Sequence, residues 1–302
     1  MTFRWINRSE AIIACIVCAS IIFGSTTAWF GFRAGVRATE SRFGIAGEKE
    51  VVVDADAVLP PDGYVIPVRW GDIGSRLVDS GVIDRRKLDK LYEARGGLSA
   101  YTRALLEPGY SGELTIDEAS AGELLNILWA LGLGNRNAIL DEGPMQDERY
   151  GGPGGFASTG GWSLATGTSM EHYSHHAFVS LTPDQQELVE RVSQNIYRPC
   201  CGNSTYFPDC NHGMAMLGLL ELMASQGASE AQLYETALHV NAYWFPDTYL
   251  TIAKYFVMNG IAWADVDARE VLGYDYSSGT GYREILSQVE PATGRSGGSC
   301  GV

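Results

Sequence analysis

The sequence is short of basic residues. It has 22 Lys and Arg against 36 Asp and Glu in 302 residues, which gives a formal net charge of −14. Proteins that bind nucleic acids neutralise phosphates with a basic surface. The charge balance therefore argues against a nucleic acid partner, and it agrees with solubility or with the attraction of cations.

Several catalytic motifs are missing as well. No Gly-x-Ser-x-Gly stands at a predicted strand-to-helix turn, and the chain has no His-Glu-x-x-His and no Cys-x-x-Cys-His. The glycine-rich segment at residues 142–168 lacks a phosphate-binding glycine spacing and a following Lys-Ser or Lys-Thr. These absences argue against a classical serine hydrolase, a zinc protease, a c-type haem protein and a phosphate-binding loop.

An apolar run from Ala11 to Phe32 dominates the N-terminus. Its length of about twenty residues is enough to span a bilayer as a helix, and it exceeds that of a typical cleaved signal peptide. We predict a single-pass anchor in the cell membrane, with the bulk of the chain extracytoplasmic. Cys15 and Cys18 fall inside this run and are interpreted as small membrane-helix residues, because hydrocarbon opposes thiolate formation.

The rest of the chain carries a helical pattern. Capping boxes begin at Thr115, Thr182 and Ser229, and each precedes apolar residues at helical spacing. We therefore predict a mainly α protein, in which an N-terminal transmembrane helix is followed by a compact multi-helix bundle with a long Gly-rich loop. The predicted divisions are a membrane anchor at 1–37, a linker at 38–63, a helical subdomain with the Gly-rich loop at 64–168, a helical subdomain with a Cys/His site at 169–289, and a flexible tail at 290–302.

Three of the six cysteines lie close together, at Cys200, Cys201 and Cys210. A proline is expected to end the helix before them. The next helix is expected to begin after a second proline, with Asp209 or Asn211 as its N-cap. Cys210 would then lie at a helix N-terminus, which lowers the pKa of a thiol. The pattern predicts that Cys210 is a reactive thiol or a metal ligand.

Other soft ligands follow the third cysteine. His212 lies two residues on, and Met214 and Met216 add thioether sulfur on a helix where the core is their more natural place. Thiolates, imidazole and thioethers together suit Cu(I), and without the methionines they suit Zn(II). The candidate metal ligands are Cys200, Cys201, Cys210 and His212, and the same three cysteines are the candidate catalytic thiols.

The cysteines also have a structural interpretation. Adjacent cysteines rarely pair with each other, because their geometry strains the bond. Cys200 or Cys201 would instead pair with Cys210 and join two helix ends. The protein would then be a non-catalytic helical interaction module with a structural disulfide.

The cysteine segment resembles an uncharacterised family of membrane-anchored bacterial proteins. The resemblance rests on the block Arg-Pro-Cys-Cys…Cys-Asn-His-Gly-Met-Ala-Met at 198–216 and on the segment from Tyr243 to Tyr255. It covers most of the chain. It implies a membrane anchor and no known activity.

Residues 197–240 also resemble the thiol-oxidoreductase subunit of the cytochrome c maturation machinery. The matching pieces are Cys-Gly-Asn-Ser from Cys201, Asp-Cys-Asn from Asp209, and Gly-Ala-Ser from Gly227. The first cysteine of that family's motif corresponds to Arg198 in this chain. The resemblance implies a three-helix bundle and thiol–disulfide exchange, with a partner thiol protein.

Two further groups stand apart from this segment. His172, His175 and His176 fall within five residues, and on a helix the first and last would share a face and could meet one metal ion. Their alternative interpretation is a surface patch of hydrogen-bonding groups. Cys300 lies near the end of the tail and is predicted to reach an internal disulfide as a mobile thiol. Its alternative interpretation is an incidental thiol or a site of intermolecular pairing.

The patterns together predict a membrane-anchored extracytoplasmic protein that binds copper or zinc at a Cys/His site, or that handles thiol–disulfide exchange. Its partners would be the membrane, a metal ion or a thiol protein.

Overall fold

A computed structural model describes residues 52–292. The predicted anchor at 1–37, the first part of the linker and the tail beyond residue 292 lie outside the described residues, and so do Cys15, Cys18 and Cys300. Between residues 52 and 292, no helix combines the length and the apolar character needed to cross a bilayer.

The first half of the described chain consists mostly of short helices, together with one long helix and one pair of strands. In chain order the elements are α1 (Ala55–Val58), β1 (Tyr64–Ile66), α2 (Ile73–Asp79), α3 (Arg85–Glu93), α4 (Ala100–Leu105), β2 (Leu114–Ile116), α5 (Ala121–Gly134), α6 (Ala138–Glu142) and α7 (Ala157–Gly160). The two strands are antiparallel, with Tyr64 opposite Ile116. Val58 and Leu59, near the end of the predicted linker, are buried in the core.

The second half contains four helices of 11 to 15 residues, followed by three shorter ones. They are α8 (Pro183–Ser193), α9 (Asn211–Ser225), α10 (Glu230–Trp244), α11 (Pro246–Met258), α12 (Ala268–Val271), α13 (Tyr274–Ser277) and α14 (Gly279–Leu286). The capping boxes predicted at Thr182 and Ser229 are both present. The mainly helical fold class is confirmed for the described residues.

The capping box predicted at Thr115 is wrong. Thr115 lies in β2, where it pairs with Val65, and α5 begins only at Ala121. The turn before α5 is instead stabilised by Asp117 and Ser120, each of which bonds the backbone N–H of the other with its side chain, at 3.0 and 2.7 Å. Because Thr115 is paired with Val65 in the sheet, it cannot cap a helix. Helix α5 therefore starts about one turn later than the sequence pattern predicted.

Helices α5 and α9 form the centre of the fold. Both are buried on nearly every side, as the apolar pattern of their sequences predicted. They approach closely through two glycines: a Cβ added at Gly218 would lie only 2.6 Å from the amide nitrogen of Gly132. Since α5 precedes residue 168 and α9 follows it, the two predicted subdomains pack directly against each other.

The glycine-rich segment is ordered by short turns and lies against the chain just before α9. It contains 3₁₀ turns at Pro144–Gln146, Glu148–Tyr150 and Pro153–Gly155. The rings of Tyr150, Phe156 and Phe207 contact one another, with centroids 5.3 to 5.5 Å apart. Ser158 donates its backbone N–H to the carbonyl of Asp209 at 3.0 Å. The segment therefore packs beside the loop that carries the cysteines.

Candidate metal centre

The cysteines lie on the loop between α8 and α9. The predicted helix ends at Ser193, earlier than Pro199, and Ile196 follows it as a buried loop residue. The loop closes on itself through backbone hydrogen bonds from Thr205 to Ile196 at 2.8 Å and from Tyr206 to Ser193 at 3.0 Å. These bonds hold Cys200 and Cys201, near the first end of the loop, in a fixed position relative to Cys210 at its other end.

The last helix of the fold also holds this loop. The N–H of Gly279, the first residue of α14, donates to the carbonyl of Cys201 at 2.8 Å. A Cβ at this position would lie 3.2 Å from the carbonyl oxygens of Cys201 and Pro199. The close approach therefore favours glycine at position 279.

Arg198 organises the interior of the loop. Its side chain is 1% exposed, and it donates from Nε to Sγ of Cys210 at 3.0 Å. Its terminal nitrogens donate to the carbonyl oxygens of Asn203 and Phe207, at 3.0 and 3.1 Å, and to Oδ1 of Asp209 at 2.7 Å. A guanidinium is always charged in proteins. Arg198 thus places a fixed positive charge directly beside one of the three sulfurs.

The structure brings the three predicted cysteines together. Their Sγ atoms all lie within 4.8 Å of one another, and Sγ of Cys200 is 3.7 Å from Sγ of Cys210. Sγ of Cys200 is also 4.0 Å from Nδ1 of His212, while Sγ of Cys201 is 3.8 Å from the carbonyl oxygen of Asn203. Cys200 is exposed and the other two are half-buried. The cluster can therefore be reached from solvent on one side.

No disulfide joins these cysteines. All three are free thiols, and a disulfide would require the sulfurs to lie about 2.05 Å apart. The predicted structural disulfide between Cys210 and Cys200 or Cys201 is therefore not formed in this state of the protein.

The three thiols differ in acidity. The pKa of Cys210 is lowered well below its usual range, first by hydrogen bonds from Cys200 and Cys201, and then by the charge of Arg198 and by His212, against the effect of burial. The pKa of Cys200 is raised by its hydrogen bonds to Cys201 and Cys210 and by burial. Cys210 is therefore the first of the three thiols to ionise. Its thiolate would be the first to bind a metal ion or to attack a disulfide.

Cys210 lies at a helix N-terminus, as the sequence predicted, but the residue that caps the helix differs from the prediction. Cys210 itself is the N-cap of α9, in place of the predicted Asp209 or Asn211. The carboxylate of Asp209 accepts from Arg198 and from Nδ2 of Asn203, the latter at 2.8 Å, so it does not cap the helix. Sequence reasoning missed the role of Arg198, although an arginine two residues before a cysteine pair is a visible signal.

The other predicted sulfur and nitrogen ligands occupy different places. Met214 and Met216 are buried in the apolar core. His212 is buried at the start of α9, where its ring packs against Phe245 with centroids 4.4 Å apart. Nδ1 of His212 lies 4.0 Å from Sγ of Cys200, so the imidazole borders the sulfur cluster.

The histidine cluster is arranged differently from its prediction. Only a 3₁₀ turn, Ser169–Glu171, precedes His172, so the helical spacing does not apply. Nδ1 of His172 and Nε2 of His176 nevertheless lie 3.0 Å apart. The pKa of His176 is lowered, first by burial and then by His172 and His175. Among residues 52–292, the group of three or more His, Cys, Asp or Glu side chains close enough to share one ion is Cys200, Cys201 and Cys210.

The sulfur spacing suits a metal ion. Two sulfurs bound to tetrahedral zinc at about 2.3 Å are separated by roughly 3.8 Å, and Cys200 and Cys210 are 3.7 Å apart. A divalent ion would offset two of the three thiolate charges, and the guanidinium of Arg198, which Asp209 also pairs, lies beside Cys210. The three sulfurs therefore lie close enough together to hold a metal ion.

No protein-family model matches the chain, and no curated protein and no solved structure matches it at a significant level.

Proposed function

We propose that the protein is a membrane-anchored, extracytoplasmic metal-binding protein, which holds a soft or borderline ion, Zn(II) or Cu(I), through Cys200, Cys201 and Cys210. The observation that carries the proposal is the convergence of the three Sγ atoms within 4.8 Å. His212 would supply the fourth ligand by a small approach of its imidazole, which gives the Cys₃His set that structural zinc sites use. The membrane anchor belongs to the proposal because of the apolar run from Ala11 to Phe32.

Thiol–disulfide exchange is the second candidate function, and one observation favours it. Cys210 has a lowered pKa and lies 3.7 Å from the exposed Cys200. A thiolate beside an accessible thiol is the arrangement used by redox-active cysteine pairs. In this case Cys200 and Cys210 would pass a disulfide to or from a partner thiol protein, as the resemblance of residues 197–240 to the cytochrome c maturation subunit implies.

Elemental analysis tests the first candidate. The full chain is purified without added metal, and its zinc and copper contents are measured before and after titration with each ion. Under reducing conditions, which keep copper as Cu(I), we expect one ion per chain bound through the cysteines. It should be lost in Cys210→Ser and retained in Cys300→Ser, which removes a thiol that the proposed site does not use. If the chain takes up no zinc or copper, or if both variants bind it equally, the metal function is wrong.

Thiol titration separates the two candidates. The metal-free chain is equilibrated with glutathione buffers of decreasing potential, and free thiols are counted. A disulfide that reduces readily within the range of known exchange proteins supports thiol–disulfide exchange. Three thiols that stay reduced and are protected from alkylation by added zinc support the metal function instead.

A further inference from the structure

The tautomer of His172 follows from its contacts. Nε2 of His172 lies 2.8 Å from the carbonyl oxygen of Thr166. A carbonyl oxygen accepts only, so Nε2 of His172 must carry the proton and donate it. In the neutral ring, Nδ1 then holds a lone pair, and this lone pair faces Nε2 of His176 at 3.0 Å. In the metal-free protein His176 therefore donates its Nε2 proton to His172.

The backbone fixes both rings in place. His172 is buried, and His176 forms a parallel bridge with Asn135 just after α5. Ser174, between them, has a φ of 51°, which is unusual for a residue other than glycine. Its N–H donates to the carbonyl of Leu133 at 2.8 Å, which holds this conformation. Strained residues of this kind persist where the surrounding structure determines them, and they are common at functional sites.

The flanking arginines hold the same segment from outside. Arg76 donates to the carbonyl oxygens of Ala177 and Phe178, at 2.5 and 2.7 Å, and Arg136 donates to that of His175 at 3.3 Å. Both guanidinium groups are therefore bound to backbone oxygens of this segment. The backbone that carries the two imidazoles is therefore held in place, which a binding site requires and a loose surface patch does not provide.

We propose that His172 and His176 form a second metal site, which takes a divalent cation of tetragonal preference, Cu(II) or Ni(II), through Nδ1 of His172 and Nε2 of His176. With metal–nitrogen bonds of about 2.05 Å, two nitrogens 3.0 Å apart subtend about 94° at the ion. This is close to the right angle between neighbouring ligands of a tetragonal ion and smaller than the tetrahedral angle of zinc. Water supplies the remaining ligands.

Binding needs no net loss of a proton. The proton on Nε2 of His176 moves to Nδ1 of the same ring by exchange with solvent. Both rings then turn about their side-chain bonds, so that the lone pairs on Nδ1 of His172 and Nε2 of His176 point at an ion beside the line that joins them. The hydrogen bond from His172 to Thr166 stays in place. A backbone carbonyl in this position is a common partner for a metal-binding histidine, because it fixes the tautomer and the ring orientation.

Copper titration tests the second site in a chain that lacks the first. The full chain with Cys200→Ser, Cys201→Ser and Cys210→Ser is titrated with Cu(II) and followed by electron paramagnetic resonance. We expect a single tight site with hyperfine coupling from two imidazole nitrogens. His176→Gln should weaken it at least about tenfold, whereas the neighbouring and exposed His175→Gln should leave it unchanged. Equal loss in both variants, equal binding in both, or a spectrum without imidazole nitrogen overturns the proposal.

A second measurement uses the unmutated chain, so its result does not depend on whether the variants fold. The cysteine cluster is first saturated with Zn(II), and nitrogen chemical shifts of the histidine rings are then recorded in detergent while Ni(II) is added. We expect Nδ1 of His172 and Nε2 of His176 to shift together. If these two nitrogens keep the shifts that they have before Ni(II) is added, the second site does not exist, whatever the outcome at the cysteines.

Discussion

Arg198 donates a hydrogen bond from Nε to Sγ of Cys210 over 3.0 Å, inside the loop that joins α8 to α9. The guanidinium is almost completely enclosed, and it also bonds Asp209, Asn203 and Phe207. A buried charge is retained at a cost unless it is paired. The pairing partners here are a carboxylate and a thiol that ionises readily, so the charge of Arg198 and the reactivity of Cys210 depend on each other.

Gly213→Ala should raise the pKa of Cys210. A Cβ on Gly213 would collide with the guanidinium of Arg198, so the substitution displaces the charge from the sulfur without deleting a buried ion. We expect the midpoint pH of Cys210 alkylation, measured by mass spectrometry, to move upward. Gly122→Ala is the matched control, because a Cβ there meets nothing within 4 Å. An unchanged midpoint in Gly213→Ala would show that Arg198 does not stabilise the thiolate.

Glu221→Gln should change how stability depends on pH. Glu221 is completely buried in α9, with Oε2 2.9 Å from Nδ2 of Asn135 and no hydrogen-bond partner for Oε1 among the described residues. Burial raises the pKa of this carboxyl well above its usual value, although the neighbouring amides of Asn135 and Asn137 lower it in part. The folded chain therefore holds this proton to higher pH than the unfolded chain.

The direction in which stability changes with pH follows from this difference between the folded and unfolded pKa values. Between the unfolded and folded pKa values the folded state binds more protons, so stability falls as pH rises, by about 1.4 kcal/mol per pH unit. Glu221→Gln removes this loss. In urea unfolding over a pH series, its advantage over the parent should be absent below the unfolded pKa and grow above it. Glu235→Gln on the exposed face of α10 is the control. Parallel pH curves for parent and Glu221→Gln would contradict the prediction.

Gly132→Ala should destabilise the fold through the central helix pair. A Cβ on Gly132 would overlap the carbonyl oxygen of Met214, so α5 and α9 would have to separate. Overpacking of this kind typically costs about 1–3 kcal/mol. Denaturant unfolding measures it, with Gly122→Ala in the same helix expected to be neutral or slightly stabilising. Equal stability of the two variants would mean that the contact between α5 and α9 has room for a Cβ at position 132.

Oxidation should join Cys200 to Cys210. Their sulfurs are 3.7 Å apart, whereas Sγ of Cys201 lies near the oxygens of Asn203 and Asp209, at 3.8 and 4.0 Å. Treatment of the metal-free chain with hydrogen peroxide removes two electrons and two protons from the pair and forms one disulfide. Peptide mapping should recover the crosslink between positions 200 and 210. A dominant crosslink that contains Cys201 would show that the loop rearranges before it is oxidised.

Much of the helical framework could be predicted from the sequence, because the signals are local. The capping boxes at Thr182 and Ser229 require only neighbouring residues, and both helices begin where the pattern placed them. The uniformly apolar sequence of α9 predicted its burial for the same reason. The predicted start of α5 was wrong because the backbone of Thr115 pairs with Val65, a partner fifty residues away in the sequence.

The site was predictable in its sulfur residues and not in its electrostatics. Proximity in sequence suggested that Cys200, Cys201 and Cys210 could meet, and the loop brings them together. The burial of Arg198 and its contact with Cys210 depend on how the loop closes, which no local pattern encodes. The close pair of His172 and His176 likewise arises from a bridge to Asn135, and not from the helix that their spacing suggested.

The bond from Gly279 to the carbonyl of Cys201 ties the cysteine loop to the last helix of the fold. Any fluctuation that unfolds α14 locally also releases one end of the loop, so the two regions should open as one cooperative unit. Amide hydrogen exchange at Gly279 would then report on the occupancy of the sulfur cluster, although this residue is far from it in the sequence.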